Sequence, residues 1–401
     1  MNSSANGGYD DRTIGRRLKS IRKDRRKSQR VVAGLAGITA SYLSMLESGE
    51  RALDRLSLIV ALANALQIAP SELIRLPIPA PANGHTDAAT EAVRHALMAV
   101  SRELPGGQVL PVEALRGRVQ ALLDAGRLCR QAEVGSALPM LIRDLHTTVA
   151  AGREVAELLA LAMMLHVQSA QHWLREAGAP LDLRWLNVML THQVAERRDT
   201  PTALGLAAYG ATRVMLTAGA FDLAKAELAS VDVRTTSSES MQLAGMLALS
   251  RSLVAAADSQ PTDVDAAVEY AGELAERTGE SNAFGLGFGP TNVGLWRMGA
   301  MIEIGDHERV VALAEGLNPE VHPHLSRRSA YWADYGRALA RLRGRHDDAV
   351  RAFRRAETIH PHRIQRDPLN REVLAELVLR SKRDAVGREL RGMAYRAGLP
   401  V

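Results

Sequence analysis

The sequence predicts an all-α protein with two parts, a small N-terminal helical domain and a long array of helix pairs. Apolar residues recur every three to four positions through most of the 401 residues, and no stretch alternates convincingly at period two. Aromatic residues make up only 4% of the chain and alanine is abundant, which favours closely packed helices over sheets. With 46% hydrophobic and 24% charged residues, the chain is typical of a globular protein with substantial cores.

The charge of the chain is modest overall but is concentrated near the N-terminus. The formal net charge is +5, yet ten Arg or Lys residues and a single acid, Asp24, lie between Arg12 and Arg30. Such a cluster is expected on a surface that binds a polyanion, although it also fits a solvated helix face. The single Cys129 excludes an intramolecular disulfide and a cysteine-cluster metal site. The sequence shows no signal peptide and no long apolar run, so we expect a cytoplasmic, nucleoid-associated protein with no membrane contact.

A helix-turn-helix is predicted from Gln29 to Gly49. Ala33 is small where a second helix would cross the first, and Gly37 supplies the positive φ of a tight turn. Thr39 is expected to cap the second helix. The spacing alone would also fit an ordinary helical hairpin. The adjacent basic cluster favours a second helix that enters the major groove of DNA.

The block from Ile14 to Leu76 resembles the five-helix DNA-binding domain of lambdoid phage repressors and Xre-type bacterial regulators. The matching segments are IGRRLKSIRK, SQ, SYLSMLESGER and LSLIVALANALQIAPSELI. The resemblance implies a five-helix lambda-repressor-like domain in a bacterial protein. It also implies an ion pair between Arg22 and Glu47 that ties the first helix to the third.

The chain departs from the family pattern at two places. Arg26-Lys27 stands where the family usually has Gly-Leu, and Ala52-Leu53-Asp54 replaces the common Arg-Pro-Ser. The first departure removes an apolar residue from the turn between helices 1 and 2. The second affects the path of the loop after helix 3.

The resemblance also implies which residues contact double-stranded DNA. Family members read bases from the first turn of helix 3 and one turn later, and they bind phosphate at the start of helix 2. Arg17 is expected to face outward from helix 1. The expected DNA contacts are Arg17, Gln29, Thr39, Ala40, Ser41, Tyr42, Ser44, Met45 and Arg51.

Prolines mark the clearest domain boundary. Pro77, Pro79 and Pro81, followed by Ala-Asn-Gly-His-Thr, are typical of an extended linker. We therefore expect a disordered tail at 1–11, the helix-turn-helix domain at 12–76, a linker at 77–89 and a helical domain at 90–401.

The helical domain carries a degenerate repeat. The segment Gly219-Ala-Phe221-Asp222-Leu-Ala224 recurs in altered form from Gly305 and from Gly344. Its frame positions are Ala224, Ala267, Val310 and Ala349. This pattern resembles tetratricopeptide repeats with lengthened loops, which implies a superhelix of stacked helix pairs with a concave surface.

The first helix of each pair is expected to line that concave surface. A mixed polar and aromatic lining suits a peptide or a small ligand, and a partly buried structural groove is the alternative. The expected ligand-binding residues are Gln168, His172, Tyr209, Arg213, Ser252, Asn292, Tyr331 and Asp334.

Two other motifs have simpler interpretations than the chemistry they suggest. Gly285-Leu-Gly287-Phe-Gly289-Pro could hold phosphate, but it follows no predicted strand and Pro290 starts a helix. His322-Pro-His324 and His360-Pro-His362 could bind a metal, although loop histidines are the simpler interpretation. Because no catalytic spacing of Ser, Cys, His and Asp appears, we expect no enzymatic activity, no cofactor and no metal.

The predicted function is that of a one-component transcriptional regulator whose helical domain dimerises and senses a peptide or small molecule. In order and architecture it resembles the peptide-pheromone-sensing regulators of Gram-positive bacteria. Surplus apolar residues at Val373, Leu374, Leu377 and Leu379 predict the homodimer surface. One alternative is a regulator whose repeats bind a protein partner or only dimerise, and another is an enzyme with an accessory DNA-binding domain.

Overall fold

The computed structural model describes residues 13–74, 84–382 and 384–401. Within these residues the regular structure is helical, apart from an isolated bridge between Ser281 and Phe288. The predicted all-α fold is therefore confirmed. The predicted N-terminal tail and the proline-rich part of the predicted linker lie outside the described residues.

Five short helices form the N-terminal domain. They are α1 (Ile14–Asp24), α2 (Gln29–Leu35), α3 (Ala40–Ser48), α4 (Leu56–Leu66) and α5 (Pro70–Ile74). Their apolar faces enclose a separate core, whose fully buried members include Leu18, Leu43, Leu46 and Leu62. Gly15 lets α1 cross close to α3, because a Cβ at this position would lie 2.0 Å from the Leu46 carbonyl oxygen.

The turn between α1 and α2 forms without the Gly-Leu pair that is usual in the lambdoid repressors this block resembles. Arg26 adopts a left-handed φ of 52°, a conformation that costs a non-glycine residue about 1 kcal/mol. The partly buried Lys27 extends its ammonium group to the Ala65 carbonyl oxygen, at 2.7 Å. This contact places a cation at the C-terminal end of α4, where the helix dipole favours positive charge.

The second part of the chain is a helical array that begins at Gly84, inside the segment that the sequence predicts as linker. Its helices are α6 (Gly84–Ser101), α7 (Val112–Arg127), α8 (Gln131–Ala150), α9 (Val155–Met164), α10 (Gln171–Glu176), α11 (Leu181–Arg198), α12 (Pro201–Ala218), α13 (Phe221–Ala229), α14 (Ser238–Ala257), α15 (Pro261–Thr278), α16 (Pro290–Ile304), α17 (His307–Glu315), α18 (Leu325–Arg341), α19 (His346–Ile359), α20 (Pro361–Gln365), α21 (Pro368–Leu379) and α22 (Ala385–Arg396). A π-helical segment, Leu165–Ala170, joins α9 to α10.

Consecutive helices of the array pack in pairs. Helix α12 packs on α13, α14 on α15, α16 on α17 and α18 on α19, and the first helices of neighbouring pairs pack on one another. Of the four frame positions of the repeat, Ala224, Val310 and Ala349 are fully buried and Ala267 is half-buried. Because neighbouring first helices contact one another, they form a continuous layer.

The N-terminal domain packs against the array through three buried carboxylates. Glu376 accepts a hydrogen bond from the Ala52 main-chain N–H at 2.7 Å, and Ala52 belongs to the core of the array. Glu303 accepts from the N–H of Ser57 and Glu372 from the N–H of Ile14. Since these N–H groups lie at the start of α4 and α1, the array caps two helices of the other domain.

Asp54 stands at the centre of this contact. It is 5% exposed, and its carboxylate lies 2.9 Å from the Arg341 guanidinium. Arg337 donates to the Asp54 carbonyl oxygen, and Arg341 also pairs with Glu376. We call Asp54, Arg337, Arg341 and Glu376 the docking clamp.

The apolar residues near the C-terminus do not form a free surface. Val373, Leu374 and Leu377 are buried inside the chain, where α21 packs on α18. Leu379 is exposed and lies beside Gly49 of the N-terminal domain. The prediction that these four residues make a dimer surface is wrong for the first three, because the docked N-terminal domain and the array cover α21.

Candidate functional site

Helices α2 and α3 meet at 107°, within the range of helix-turn-helix motifs. Gly37 lies in the turn between them with a φ of 68°. The Thr39 hydroxyl accepts a hydrogen bond from the Tyr42 N–H at 3.1 Å and so caps α3, as the sequence predicts. Among the described helices none is by itself long and apolar enough to cross a membrane, and α2 with α3 passes that test only as this bent pair.

One face of α3 is open. Thr39, Ala40, Ser41 and Ser44 are exposed. The face therefore offers three hydroxyl groups and the methyl groups of Thr39 and Ala40 to a partner. Tyr42 and Met45 are partly buried at its borders, and the partly buried Arg51 lies 3.9 Å from Glu376 of the docking clamp.

An ion pair holds α3 on α1. Arg22 contacts both carboxylate oxygens of Glu47, at 2.5 and 2.8 Å, which confirms the predicted pair. The side-chain amide of Gln29 adds a third hydrogen bond to the same carboxylate, at 2.8 Å. Burial raises the pKa of Glu47, but Arg22 and Gln29 outweigh it and the net pKa is lowered. A carboxylate that stays ionised therefore fixes α3 relative to α1 and α2.

Arg17 does not face outward. It is 8% exposed, and its guanidinium donates to the Leu73 carbonyl oxygen at 3.2 Å, at the end of α5. The prediction of outward exposure is wrong because α5 covers this side of α1. The side chain of Gln29 is likewise engaged with Glu47, so its main-chain N–H is the group left for phosphate. Lys19, Lys23, Arg25, Arg26 and Arg30 are the exposed cations of the basic cluster.

A cavity of about 280 Å³, here the central cavity, lies where the array meets the N-terminal domain. The first helices α12, α14, α16 and α18 form its wall together with α10, α11 and α20. Leu56 and Ile74 contribute from the N-terminal domain. Arg337 of the docking clamp also lines it. The cavity thus touches both domains and the contact between them.

Five of the predicted ligand-binding residues line a cavity. Arg213 and Asp334 line the central cavity. Gln168, His172 and Tyr209 line a smaller neighbouring cavity of about 80 Å³, which Arg213 also borders.

The other three predicted ligand-binding residues point elsewhere. The Ser252 hydroxyl is fully buried and donates to Leu249 of its own helix, and the Tyr331 hydroxyl donates to the Ala314 carbonyl oxygen at 2.8 Å. Asn292 is fully buried and accepts two hydrogen bonds from the Arg327 side chain. These three residues lie on first helices, as the repeat register predicts. Their side chains are buried in the helical array and line neither cavity.

Most of the cations that line the central cavity were not predicted from the sequence. Arg175, Arg184, Arg213 and Arg327, here the arginine cluster, line both cavities. Burial lowers the pKa of Arg184 to about 9 and that of Arg213 to about 10, and neighbouring arginines add to each shift. Four separate helices supply these residues, so sequence spacing carried no signal. The only available signal in the sequence is that several helices each carry an arginine among the apolar residues of their buried face.

The glycine-rich loop and the first histidine pair, His322 and His324, support one another. The Asn282 side chain accepts a hydrogen bond from the Gly287 N–H at 2.8 Å, and the His322 ring contacts the Gly287 carbonyl oxygen at 3.0 Å. Burial, with smaller contributions from Arg327 and His324, lowers the pKa of His322 to about 3. A structural role accounts for the loop and for His322. Across the described ranges, no group of three or more His, Cys, Asp or Glu side chains is arranged to hold a metal ion.

Comparison with protein families matches residues 13–76 to a helix-turn-helix domain. No curated protein and no solved structure matches the chain. The match coincides with α1–α5 and includes the 107° pair. It indicates a DNA-binding domain at the N-terminus of an all-helical chain.

Proposed function

We propose that the protein is a one-component transcriptional regulator. Helix α3 reads double-stranded DNA, and the helical array, a superhelix of tetratricopeptide-like pairs, senses a peptide or small ligand in the central cavity. The observation that carries the proposal is the open face of α3 within a matched helix-turn-helix domain.

The chemistry of α3 defines what it can read in the major groove. The hydroxyls of Thr39, Ser41 and Ser44 can donate to or accept from base edges, whereas Ala40 and Met45 offer apolar contact to thymine methyl groups. Because none of these side chains makes the two parallel hydrogen bonds of an arginine or asparagine, each base contributes modest discrimination. Exposed cations such as Lys19 and Arg30 supply the phosphate contacts that position the helix.

Sensing is proposed because one wall of the central cavity belongs to the DNA-binding domain. A ligand there contacts Leu56 or Ile74 directly, and it reaches Asp54 through Arg337. Such a ligand shifts the balance between docked and undocked arrangements only as far as it prefers one of them, typically by about 1–3 kcal/mol.

A homodimer completes the proposal. One helix-turn-helix touches few base pairs, so regulators of this kind bind two half-sites about 34 Å apart. Since α21 is covered within the chain, the dimer contact lies elsewhere on the array. Sedimentation of the full chain at micromolar concentration, alone and with selected DNA, tests this. Sedimentation as a monomer under both conditions would refute the proposed homodimer.

The test of DNA readout is a selection from random duplexes with the wild type, Ser41→Arg and Arg30→Ala. Ser41→Arg should change the preferred site, because it adds a guanidinium that can bond guanine. Arg30→Ala should keep the site and weaken all DNA alike, with the salt dependence reduced by about one phosphate contact. If Ser41→Arg selects the wild-type site with wild-type stringency, α3 is not the reading helix.

A further inference from the structure

Three arginines around the central cavity carry charges that no carboxylate of the described residues neutralises through an ion pair. Arg184 is 3% exposed, its nearest partner is the neutral Thr217 hydroxyl at 3.5 Å, and its Nε has no hydrogen-bond partner. Arg327 donates to the neutral side-chain oxygen of Asn292, at 2.7 and 3.2 Å. Arg213 packs on the Trp296 ring, 5.2 Å from its centroid.

The acids in the cavity wall are already engaged. Glu176 lies 3.2 Å from Arg363, which is 8% exposed, and it pairs with Arg175 as well. The remaining acids have partners of their own: Asp334 pairs with Arg337, Asp367 caps the start of α21, and Glu303 accepts from α4. The wall is therefore left with net positive charge.

This arrangement of charges is costly. Burial is the main cause that lowers the pKa of Arg327 to about 10, and Arg213 adds repulsion. A guanidinium with that pKa is still charged at neutral pH. Arg184 is 3% exposed, and Arg213 and Arg327 are partly buried. Charges withdrawn from water are ordinarily paired, because an unpaired one loses hydration without compensation.

We propose that the central cavity binds a small ligand carrying two or more oxyanion groups, carboxylate or phosphate, through Arg184, Arg213 and Arg327. This proposal names the chemical class of the ligand. It rests on the proposed function in taking the central cavity to be the sensing site.

The side chains suit such a ligand in two ways. A guanidinium offers a planar fork of donors that matches carboxylate and phosphate, and Trp296 supports two of these forks, since Arg213 and Arg327 each lie 5.2 Å from its ring centroid. Leu216, Leu253 and Leu295 form an apolar part of the wall. The ligand therefore presents its charges to the arginine cluster and an organic portion to the leucines.

The test is calorimetric titration of the full chain with three anionic probes at millimolar concentration or below. The probes are citrate for carboxylate groups, inorganic pyrophosphate for phosphate groups and triglutamate for an acidic peptide, and triglutamine is the neutral control. Low concentration keeps general salt stabilisation small. We expect saturable binding of at least one anion and none of triglutamine. The probe that binds most tightly identifies the source of the oxyanion.

Two variants test whether individual arginines bind the probe. Arg213→Met and Arg327→Met keep much of the side-chain length and remove the charge. Each should weaken binding of the best probe about tenfold or more, because a charge-assisted hydrogen bond is lost. Without probe, Arg213→Met should raise the melting temperature, because a charge with no anionic partner is gone. Arg327→Met is judged by binding alone, because it also removes both hydrogen bonds to the buried Asn292 side-chain oxygen. The control is Arg234→Met, an exposed arginine between α13 and α14, which should change neither quantity.

The melting temperature keeps the proposal refutable even if the best probe is absent from the set. An Arg213 side chain with a purely structural role would lower the melting temperature when replaced, and that result for Arg213→Met overturns the proposal. Absence of saturable binding of all three anions, or unchanged binding in both variants, overturns it as well.

Failure of this inference is distinct from failure of the proposed function. The titrations use no DNA, and the selection from random duplexes uses no probe. A chain that selects a DNA site but binds no anion remains a regulator with a different effector. A chain that binds an anion but selects no DNA keeps the cavity site and loses the regulatory role.

Discussion

The docking clamp offers the sharpest test of how the two domains are joined. Replacing Asp54 by Ala removes a 5% exposed carboxylate that lies 2.9 Å from Arg341 and belongs to the chain segment held by Arg337. Loss of one partner from a buried ion pair typically costs about 3–5 kcal/mol, because the other charge is stranded.

The expected cost lies at the lower end of that range. After the change, Arg337 keeps Asp334 at 3.2 Å and Arg341 keeps Glu376. Neither guanidinium is left without an anion, so we expect a loss of about 3 kcal/mol in the free energy of unfolding.

Urea unfolding of the full chain measures the loss. The matched control is Glu308→Ala, an exposed acid on α17, whose stability should stay within about 0.5 kcal/mol of the wild type. A lower urea midpoint for Asp54→Ala alone supports the clamp. Equal midpoints for the wild type and Asp54→Ala would refute the reasoning, because a paired buried carboxylate cannot be removed without cost.

The stability difference between the wild type and Asp54→Ala should also depend on pH. Burial raises the pKa of Asp54, but Arg341 and Arg337 outweigh it and lower the pKa below 3.8. A group with a lowered folded-state pKa stabilises the protein above its unfolded pKa, and that contribution disappears as pH falls through the folded value. The difference between wild type and Asp54→Ala should therefore shrink as pH falls below about 3.8.

Three further changes have defined outcomes. Glu47→Ala should lower the free energy of unfolding by about 3 kcal/mol, because it strands the 12% exposed Arg22. Burial, opposed by the N–H groups of Ile14 and Gly15, raises the pKa of Glu372 to about 7. The contribution of Glu372 to stability should therefore fall as pH rises from about 4.5 to about 7, so the free energy of unfolding of the wild type should fall relative to that of Glu372→Gln over this range. Arg26→Gly should stabilise by about 0.5–1 kcal/mol, since glycine adopts the φ of 52° without strain.

Each of these outcomes can be contradicted by a melting experiment on the full chain. An unchanged melting temperature for Glu47→Ala would show that the Arg22 pair contributes nothing. The same pH profile for wild type and Glu372→Gln would show that this carboxyl is not the titrating group. A lower melting temperature for Arg26→Gly would show that the arginine side chain contributes more than its backbone strain costs.

Much of the local structure could be predicted from the sequence. Apolar periodicity bounded by Pro and Gly predicts helices at 181–198, 238–257 and 290–304, which are α11, α14 and α16 in the structure. The turn at Gly37 and the Thr39 cap were also accessible, because a positive φ and a capping hydroxyl depend on neighbouring residues alone. Family resemblance added the Arg22–Glu47 pair.

The direction of individual side chains could not be predicted in the same way. Arg17 sits on a helix whose periodicity is clear, yet α5 covers it. Ser252 and Tyr331 lie on helices that line the cavity but hydrogen-bond to backbone carbonyl groups away from it. The deciding contact comes from another helix for Arg17 and Tyr331 and from the residue's own helix for Ser252, and the repeat register specifies none of them.

The segment Ala52-Leu53-Asp54 combines a feature visible in the sequence with a role that depends on tertiary structure. Its departure from the family pattern is visible in the sequence, but its role depends on Arg337, Arg341 and Glu376, which lie more than two hundred residues away. The sequence by itself therefore determined the helices, the turn and the capping, because local backbone preferences and apolar spacing govern them. Only the tertiary structure decided the docking clamp and the arginine cluster, because burial and charge pairing depend on which distant helices pack together.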